Sequence, residues 1–224
     1  MKLTVIFLVV VSVIGTADSD VYNQSGHSLD SATLASIALQ LDKAMYGNAY
    51  AKGTPEYEHR RPVHNGACRH IYPAIVVVPH NTEDVSLAVK AAVHHGLPVS
   101  FRSGGHSFIC QGIRQDALHI DLRNINHVTQ LSPYQVAFGS GTNFGKVLKV
   151  VTPEKYTMIH GQSLTVGVAG YLQGLGVNPM GTSQRYGFGS DHVLQYTMVL
   201  ADGSIATVNK DNTTITKPGL SREK

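Results

Sequence analysis

The chain has 224 residues, and its composition limits the classes of protein to which it can belong. Hydrophobic residues make up 42% and charged residues 15%, which excludes a disordered or fibrous protein and indicates a globular chain of one large or two small domains. The formal net charge of +3 is small and the Lys and Arg residues are scattered, so nucleic acid is not an expected partner.

Residues 1–17 have the pattern of a secretory signal peptide. A basic Lys2 precedes an apolar run over residues 3–14, and the small residues 15–17 offer a cleavage site after Ala17. The alternative is a membrane anchor, but the apolar run is short for a bilayer span. We therefore expect a secreted, extracellular protein that makes no membrane contact after cleavage.

Export affects the interpretation of the cysteines and of two asparagines. In an oxidising compartment, Cys68 and Cys110 are expected to form one disulfide, which would stabilise the fold by roughly 4 kcal/mol; two free thiols are the alternative. Asn23 and Asn212 each begin an Asn-x-Ser/Thr sequon and are candidate glycosylation sites.

The first half of the chain predicts a β-α-β unit. In chain order, the patterns predict an amphipathic helix (30–45), an extended lead-in (48–66), a β-branched strand (75–78), a helix capped by Asn81 that ends before Gly96, and a second buried strand (97–101). The carboxyl end of a strand is where ligands commonly bind in α/β sheets.

At that point the sequence has an unusual loop, residues 102–107, here called the glycine–histidine loop. Its two adjacent glycines allow the backbone to approach a ligand closely, and its successive N–H groups can form a concavity that binds anions. His106 adds a nucleophilic side chain. The simpler interpretation is a turn with a surface histidine. The dinucleotide fingerprint G-x-G-x-x-G is absent.

The second half predicts further strands and a glycine-rich segment. In order, the patterns predict strands at 119–122 and 135–138, a helix through 145–151 that Thr142 caps, a glycine-rich segment (160–189), and a hairpin with its turn at 201–203. The apolar content of the glycine-rich segment argues against disorder, and we interpret it as the second side of a cofactor site.

Several motifs share an order and spacing that resemble one family. They are Pro79 with Thr82, Glu83, Asp84 and Val85; the glycine–histidine loop; Gly139, Ser140, Gly141 and Thr142; residues 161–167; Tyr186 and Gly187; and Ala201, Asp202 and Gly203. Together they resemble the PCMH-type FAD-binding domain of the vanillyl-alcohol oxidase superfamily, in its berberine-bridge-enzyme and carbohydrate-oxidase-like branch.

The resemblance implies a fold and a division of the chain. The fold is α+β, a PCMH-type FAD-binding domain of two α/β subdomains that lacks the C-terminal substrate domain of its relatives. The expected divisions are the signal peptide (1–17), an N-terminal helix and lead-in (18–66), the FAD-binding domain (67–210) and a polar tail (211–224).

It also implies a set of FAD-binding residues. His106 would be bonded covalently to the flavin, the backbone N–H groups of 103–107 would hold the pyrophosphate, and Ile205 would meet the adenine. The full set is Arg102, Ser103, Gly104, Gly105, His106, Ser107, Gln111, Gly161, Ser163, Thr165, Val166, Gly167, Tyr171, Gly174 and Ile205. For Val166, Tyr171 and Ile205 the alternative role is core packing.

Two departures from the family qualify this inference. Many members carry a second flavin bond from a cysteine, and Ser163 stands at that position; a hydroxyl is a far weaker nucleophile than a thiolate, so we expect attachment through His106 alone. Relatives also continue beyond the point where this sequence stops, with a substrate domain that carries catalytic bases. The catalytic residues are therefore unassigned.

The resemblance implies a secreted, covalently flavinylated FAD-dependent oxidoreductase, or its flavin-binding portion. It would oxidise an alcohol or a sugar hydroxyl with oxygen as acceptor, and the small Val166 favours an oxidase over a dehydrogenase. The alternative is a catalytically inactive, truncated flavin-binding or extracellular interaction module. A metal site is not expected, because His59, His64, His70 and His80 lack ligand spacing.

Overall fold

The computed structural model describes Thr4–Val10 and residues 29–216. The strands are β1 (Thr4–Val10), β2 (Asn48–Ala51), β3 (Ile75–Val78), β4 (Val99–Arg102), β5 (Leu118–Asp121), β6 (Val128–Ser132), β7 (Gln135–Phe138), β8 (Gln195–Val199), β9 (Ile205–Asn209) and β10 (Thr213–Thr216). The helices are α1 (Ser31–Ala44), α2 (Pro55–Arg60), α3 (Thr82–His94), α4 (Phe144–Val151), α5 (Val168–Gln173) and α6 (Thr182–Tyr186). Short 3₁₀ turns lie at Gly66–Cys68, Leu122–Asn124 and Gly189–His192.

The first sheet has the strand order β2-β3-β5-β4 and contains the predicted β-α-β unit. Strands β3, β5 and β4 are parallel, while β2 pairs with β3 in the antiparallel sense. All four residues of β3 are buried, as expected for a strand covered on both faces. The apolar stripes of α1 and α3 supply much of the core next to this sheet.

Helix α3 begins and packs as its sequence predicts. The Asn81 side chain accepts a hydrogen bond from the backbone N–H of Asp84 at 2.8 Å, which caps the first turn. Val85 and Val89 are buried on its inner face. The helix returns the chain to β4, and β4 ends at Arg102, so the glycine–histidine loop starts at the carboxyl end of a parallel strand.

The second sheet has the order β10-β9-β8-β1-β7-β6. Strand β1 lies between β7 and β8 and runs parallel to both, whereas the outer neighbours pair in the antiparallel sense. A separate core forms here, with Val136 and Phe138 of β7 packed among the buried residues of α4 and α5. Two α/β layers with their own cores correspond to the predicted pair of subdomains.

Several local predictions were wrong. The segment 48–66 is not an extended lead-in, because β2 joins the first sheet and α2 follows, capped by Thr54 and with proline at its first position. The cap of α4 is Asn143, not Thr142. Within the polar tail predicted for 211–224, β10 pairs with β9. Strand β6 was not predicted.

The predictions tied to export fall partly within the described residues. Of the expected signal peptide (1–17), only β1 is described, and Asn23 lies outside the described residues. Asn212 is exposed between β9 and β10. The structure joins Cys68 to Cys110 in a disulfide. In the part of the chain that is described, no helix is long and apolar enough to cross a membrane.

Candidate functional site

A cavity of about 760 Å³ opens where the glycine–histidine loop meets α5. This volume falls within the usual range for cofactor and small-molecule sites. The cavity is lined by Phe101, Arg102, Ser103, Gly104, Gly105, His106, Ser107, Phe108, Ile109, Gln111, Gly112, Val166, Gly167, Gly170, Tyr171, Gln173 and Gly174. The glycine–histidine loop and part of the glycine-rich segment, which were predicted to form opposite sides of one site, therefore line the same cavity.

The two sides touch through glycines. A Cβ atom added to Gly104 would lie 2.2 Å from the backbone nitrogen of Gly167, so no larger residue fits at this crossing. The Ser103 hydroxyl donates to the Ser140 carbonyl oxygen at 2.7 Å, and the Val168 N–H donates to the Thr142 carbonyl oxygen at 2.9 Å. The loop is thus fixed against the segment that leads into α5.

Helix α5 presents small residues to the cavity. Gly167, Gly170, Tyr171 and Gly174 follow one another at the spacing of a single helix face. A Cβ at Gly170 would meet nothing within 4 Å, so the backbone there faces open space. The Tyr171 hydroxyl is buried without a hydrogen-bond partner among the described residues, and burial raises its pKa to about 12. It is a neutral hydroxyl that makes no hydrogen bond among the described residues.

His106 is held by two neighbours. Its ring stacks on that of His64, with centroids 4.1 Å apart and 14° between the planes. Its Nε2 lies 3.0 Å from the Thr165 hydroxyl, which is 2.9 Å from the Ser163 hydroxyl. Burial, with smaller contributions from His64 and Arg102, lowers the pKa of His106. A lowered pKa favours the neutral imidazole, which is the nucleophilic form.

Arg102 holds the polypeptide rather than standing free in the cavity. Its guanidinium donates to the carbonyl oxygens of Arg60, at 3.0 Å, and of Pro62. Burial and the nearby Arg123 lower the pKa of Arg102 to about 10. Gly105 adopts a φ of 75°, and a Cβ there would lie 2.8 Å from the Arg102 Nε. A glycine is therefore needed at 105 for both its conformation and its space.

Most predicted site residues come together, and four do not line the cavity. Thr165 reaches it only through its hydrogen bond to His106, and Ser163 only through its hydrogen bond to Thr165. Gly161 packs beside the Tyr171 ring, and Ile205 packs against the core of the first sheet, which matches its alternative role. Sequence reasoning missed these lining residues: Phe101, Phe108, Ile109, Gly112, Gly170 and Gln173.

One sequence signal pointed to part of the missed set. Gly167, Gly170, Tyr171 and Gly174 are spaced i, i+3, i+4 and i+7, which predicts one face of a helix despite the poor helix propensity of glycine. Phe108 and Ile109 are 87% and 73% exposed at the rim of the cavity. Their position follows from the path of the loop and has no sequence periodicity.

Comparison with known families identifies the fold and the type of site. Residues 73–209 match the model of an FAD-binding domain, over more than half of the chain. The chain belongs to this FAD-binding domain family. The family match spans both sides of the cavity. The similar structures described below confirm the predicted PCMH-type fold and its berberine-bridge-enzyme and carbohydrate-oxidase-like branch.

Curated relatives of this FAD-binding domain are fungal redox enzymes. The chain is 30% identical over 159 residues to the FAD-linked oxidoreductase nodO of Hypoxylon pulicicidum, covering 69% of this chain and 35% of that protein. It is 30% identical over 186 residues to the FAD-dependent monooxygenase sdcF of Emericella nidulans, covering 81% and 38%. The chain thus spans little more than a third of these relatives.

Solved structures share the fold. Glucooligosaccharide oxidase from Acremonium strictum, described with a 6-S-cysteinyl, 8α-N1-histidyl FAD, superposes with a TM-score of 0.71 at 25% identity, over 78% of this chain and 37% of that one. The BBE-like 1 protein of Physcomitrella patens superposes with a TM-score of 0.70 at 27% identity, over 78% and 38%.

Proposed function

We propose that this chain is the flavin-binding part of a secreted FAD-linked oxidoreductase, that FAD occupies the cavity, and that His106 bonds covalently to it. The observation that carries the proposal is the position of His106, which lines the cavity with a pKa lowered by burial and with one ring nitrogen engaged by Thr165. A neutral imidazole in this setting is a competent nucleophile.

The atoms that line the cavity suit FAD. The open space above Gly170 leaves room for a flat ring system against the helix backbone, and the unpartnered hydroxyl of Tyr171 can donate to one of its acceptors. The double glycine at 104–105 lets the loop backbone approach a pyrophosphate.

Each side of the cavity then has a task. The backbone N–H groups of residues 103–107 hold the pyrophosphate, while Gly167, Gly170 and Gly174 present a helix face without side chains to the flavin. Ser163 does not form the second bond made by cysteine in relatives. When bound, FAD supplies two-electron redox chemistry, taking a hydride from a substrate C–H bond and passing the electrons to oxygen.

The substrate that we propose is an alcohol or a sugar hydroxyl. It is supported by the similarity to a glucooligosaccharide oxidase and to FAD-linked oxidoreductases. Secretion is supported by the pattern of residues 1–17, by the disulfide and by the exposed sequon at Asn212.

The attachment is tested by acid precipitation of the full chain after expression in a eukaryotic secretion host. We expect flavin fluorescence to remain with the denatured pellet of the unmodified protein, and to move to the supernatant for His106→Ala. His70→Ala, on an exposed residue of a neighbouring segment, is the matched control and keeps its flavin. Covalent flavin in His106→Ala would refute the assignment.

The catalytic proposal has a separate readout. Peroxide release is measured from the flavin-loaded chain with a panel of sugars and primary alcohols. Release with one class supports an oxidase and identifies its substrate. If the chain retains covalent flavin yet releases no peroxide with any of them, the alternative of a non-catalytic flavin-binding module is correct for this chain.

A further inference from the structure

We propose that Thr165, Ser163 and His64 are positioning residues that fix the ring and the tautomer of His106 for its bond to the flavin. The inference rests on the proposed covalent attachment and extends it to residues outside the cavity lining. Two features carry it: a hydroxyl pair on one ring nitrogen and a second imidazole stacked on the ring face.

The stacked His64 is part of a segment that is fastened to the glycine–histidine loop. The His64 N–H donates to the Gly105 carbonyl oxygen at 3.0 Å, and the Asn65 side-chain amide donates to the Phe108 carbonyl oxygen at 2.7 Å. The Arg102 guanidinium donates to the carbonyl oxygen of Pro62.

The disulfide between Cys68 and Cys110 closes the same pair of segments just beyond these contacts. Four independent ties therefore lie on either side of the stacked rings. His64 is exposed, yet its ring position is determined by its neighbours in the chain. A ring held flat at 4.1 Å restricts rotation of the His106 side chain.

The hydroxyl pair contacts one ring nitrogen of His106, Nε2. If Nε2 of His106 carries the hydrogen, it donates to the Thr165 hydroxyl oxygen, and Thr165 donates in turn to Ser163. The lone pair of Nδ1 is then free, and within residues 29–216 this nitrogen makes no hydrogen bond. The partner of one ring nitrogen sets the tautomer, and so the reactivity, of the other.

The bond that forms needs this arrangement. Nδ1 of His106 bonds to the methyl carbon of the flavin ring, one methyl C–H bond breaks, and the Nε2–H bond of the imidazole breaks as the ring becomes substituted. The flavin would take the two electrons and the methyl proton, the imidazole proton would leave through Thr165, and oxygen would then take the two electrons with the methyl proton and one proton from solvent as hydrogen peroxide. Thr165 and Ser163 accept the imidazole proton and pass it to solvent, since both are exposed.

The test separates attachment from reversible binding. The full chain is prepared without flavin from a riboflavin-starved host, FAD is added, and two quantities are measured: the Kd for reversible binding at early times, and the rate at which flavin fluorescence becomes resistant to acid. We expect Thr165→Val to slow attachment about tenfold, the effect of losing one hydrogen bond to a reacting group, with Kd within about twofold.

Rescue distinguishes positioning from a general structural effect. Thr165→Ser keeps the hydroxyl and is expected to attach flavin at close to the rate of the unmodified chain. Thr165→Val removes the hydroxyl but keeps nearly the same side-chain shape, so the two variants separate the effect of the hydroxyl from that of packing. His64→Ala is expected to slow attachment, and His64→Phe, which keeps a flat ring for stacking, to restore most of the rate. His70→Ala is the control.

The outcomes are distinct. Equal attachment rates for Thr165→Val and the unmodified chain would overturn the positioning role while leaving covalent attachment in place. Slow attachment by Thr165→Ser would do the same, because the hydroxyl would then not be the cause. If the unmodified chain binds FAD but never retains it in acid, the covalent attachment itself fails, and the positioning proposal fails with it.

Discussion

Gly104 is the position at which one methyl group would force the two sides of the cavity apart. A Cβ at this residue would lie 2.2 Å from the Gly167 nitrogen, 2.8 Å from the Gly167 Cα and 3.1 Å from the Thr165 carbonyl oxygen. All three are backbone atoms, and the hydrogen bond from Val168 to Thr142 holds that backbone in place. Gly104→Ala therefore cannot be relieved by a change of side-chain rotamer.

The cost follows from how far these atoms must move. Normal carbon–nitrogen contacts are well above 3 Å, so the chains must separate by about 1 Å along their crossing. Inserting a methyl group into a packed site typically costs 1–3 kcal/mol, and since the neighbours here are backbone we expect about 3 kcal/mol. The same displacement should abolish FAD binding, because both sides of the cavity shift.

The assay is urea unfolding of the apo chain together with FAD titration. Gly66→Ala is the neutral control, since a Cβ there meets nothing within 4 Å and lies outside the cavity. A Cβ at Gly170 also meets no atom within 4 Å, so Gly170→Ala should leave the free energy of unfolding unchanged or slightly raised. The added methyl group would lie in the cavity, so this variant should bind FAD more weakly. If Gly104→Ala matches Gly66→Ala in both the free energy of unfolding and FAD affinity, a methyl group at 104 does not force the two sides of the cavity apart.

Three further predictions concern stability. Asp84→Ala should cost more than about 3 kcal/mol in urea unfolding, because the buried carboxylate accepts from the N–H groups of Tyr46, Gly47 and His80; a cost below 1 kcal/mol would contradict this. Burial lowers the pKa of His119 from 6.5 to about 4, so only the unfolded chain gains this proton as the pH falls from 6.5 to 4. The free energy of unfolding should therefore drop by roughly 3 kcal/mol across that window. His119→Gln should flatten this part of the pH profile of stability, and an unchanged profile would show that His119 is not the cause of the drop. Replacing Cys68 and Cys110 together by Ala should cost about 4 kcal/mol relative to the unmodified chain, with both unfolded without reductant. An unchanged unfolding midpoint would contradict the stabilisation expected from the disulfide.

The elements that the sequence predicted well are those with strong local patterns. Helix α3 has a side-chain cap, an apolar stripe and a glycine stop, and β3 is a β-branched run buried on both faces. Strand β6 alternates between half-buried and exposed residues, and β2 is four residues long with a single buried position. Such strands form because they pair with strands distant in sequence, and a local residue pattern does not predict that pairing.

The same distinction applies to the site. The glycine–histidine loop was identified because its chemistry is contained in six consecutive residues. From the sequence, His64 had no role beyond a histidine without metal-ligand spacing, and it is exposed, but its ring stacks on that of His106, 42 residues later. That contact depends on the disulfide and on hydrogen bonds between two segments, so it is a product of tertiary structure and could not be predicted from spacing.

If residues 1–17 are removed as a signal peptide, export and folding compete for the same seven residues of β1. Strands β7 and β8 both bond to β1 and are not neighbours of each other, so cleavage after Ala17 would divide the second sheet into a pair and a triplet. The space between them would be one strand wide, about 10 Å, bordered by two unpaired edges that both require a parallel partner. Signal cleavage would then leave both edges without the partner that β1 supplies.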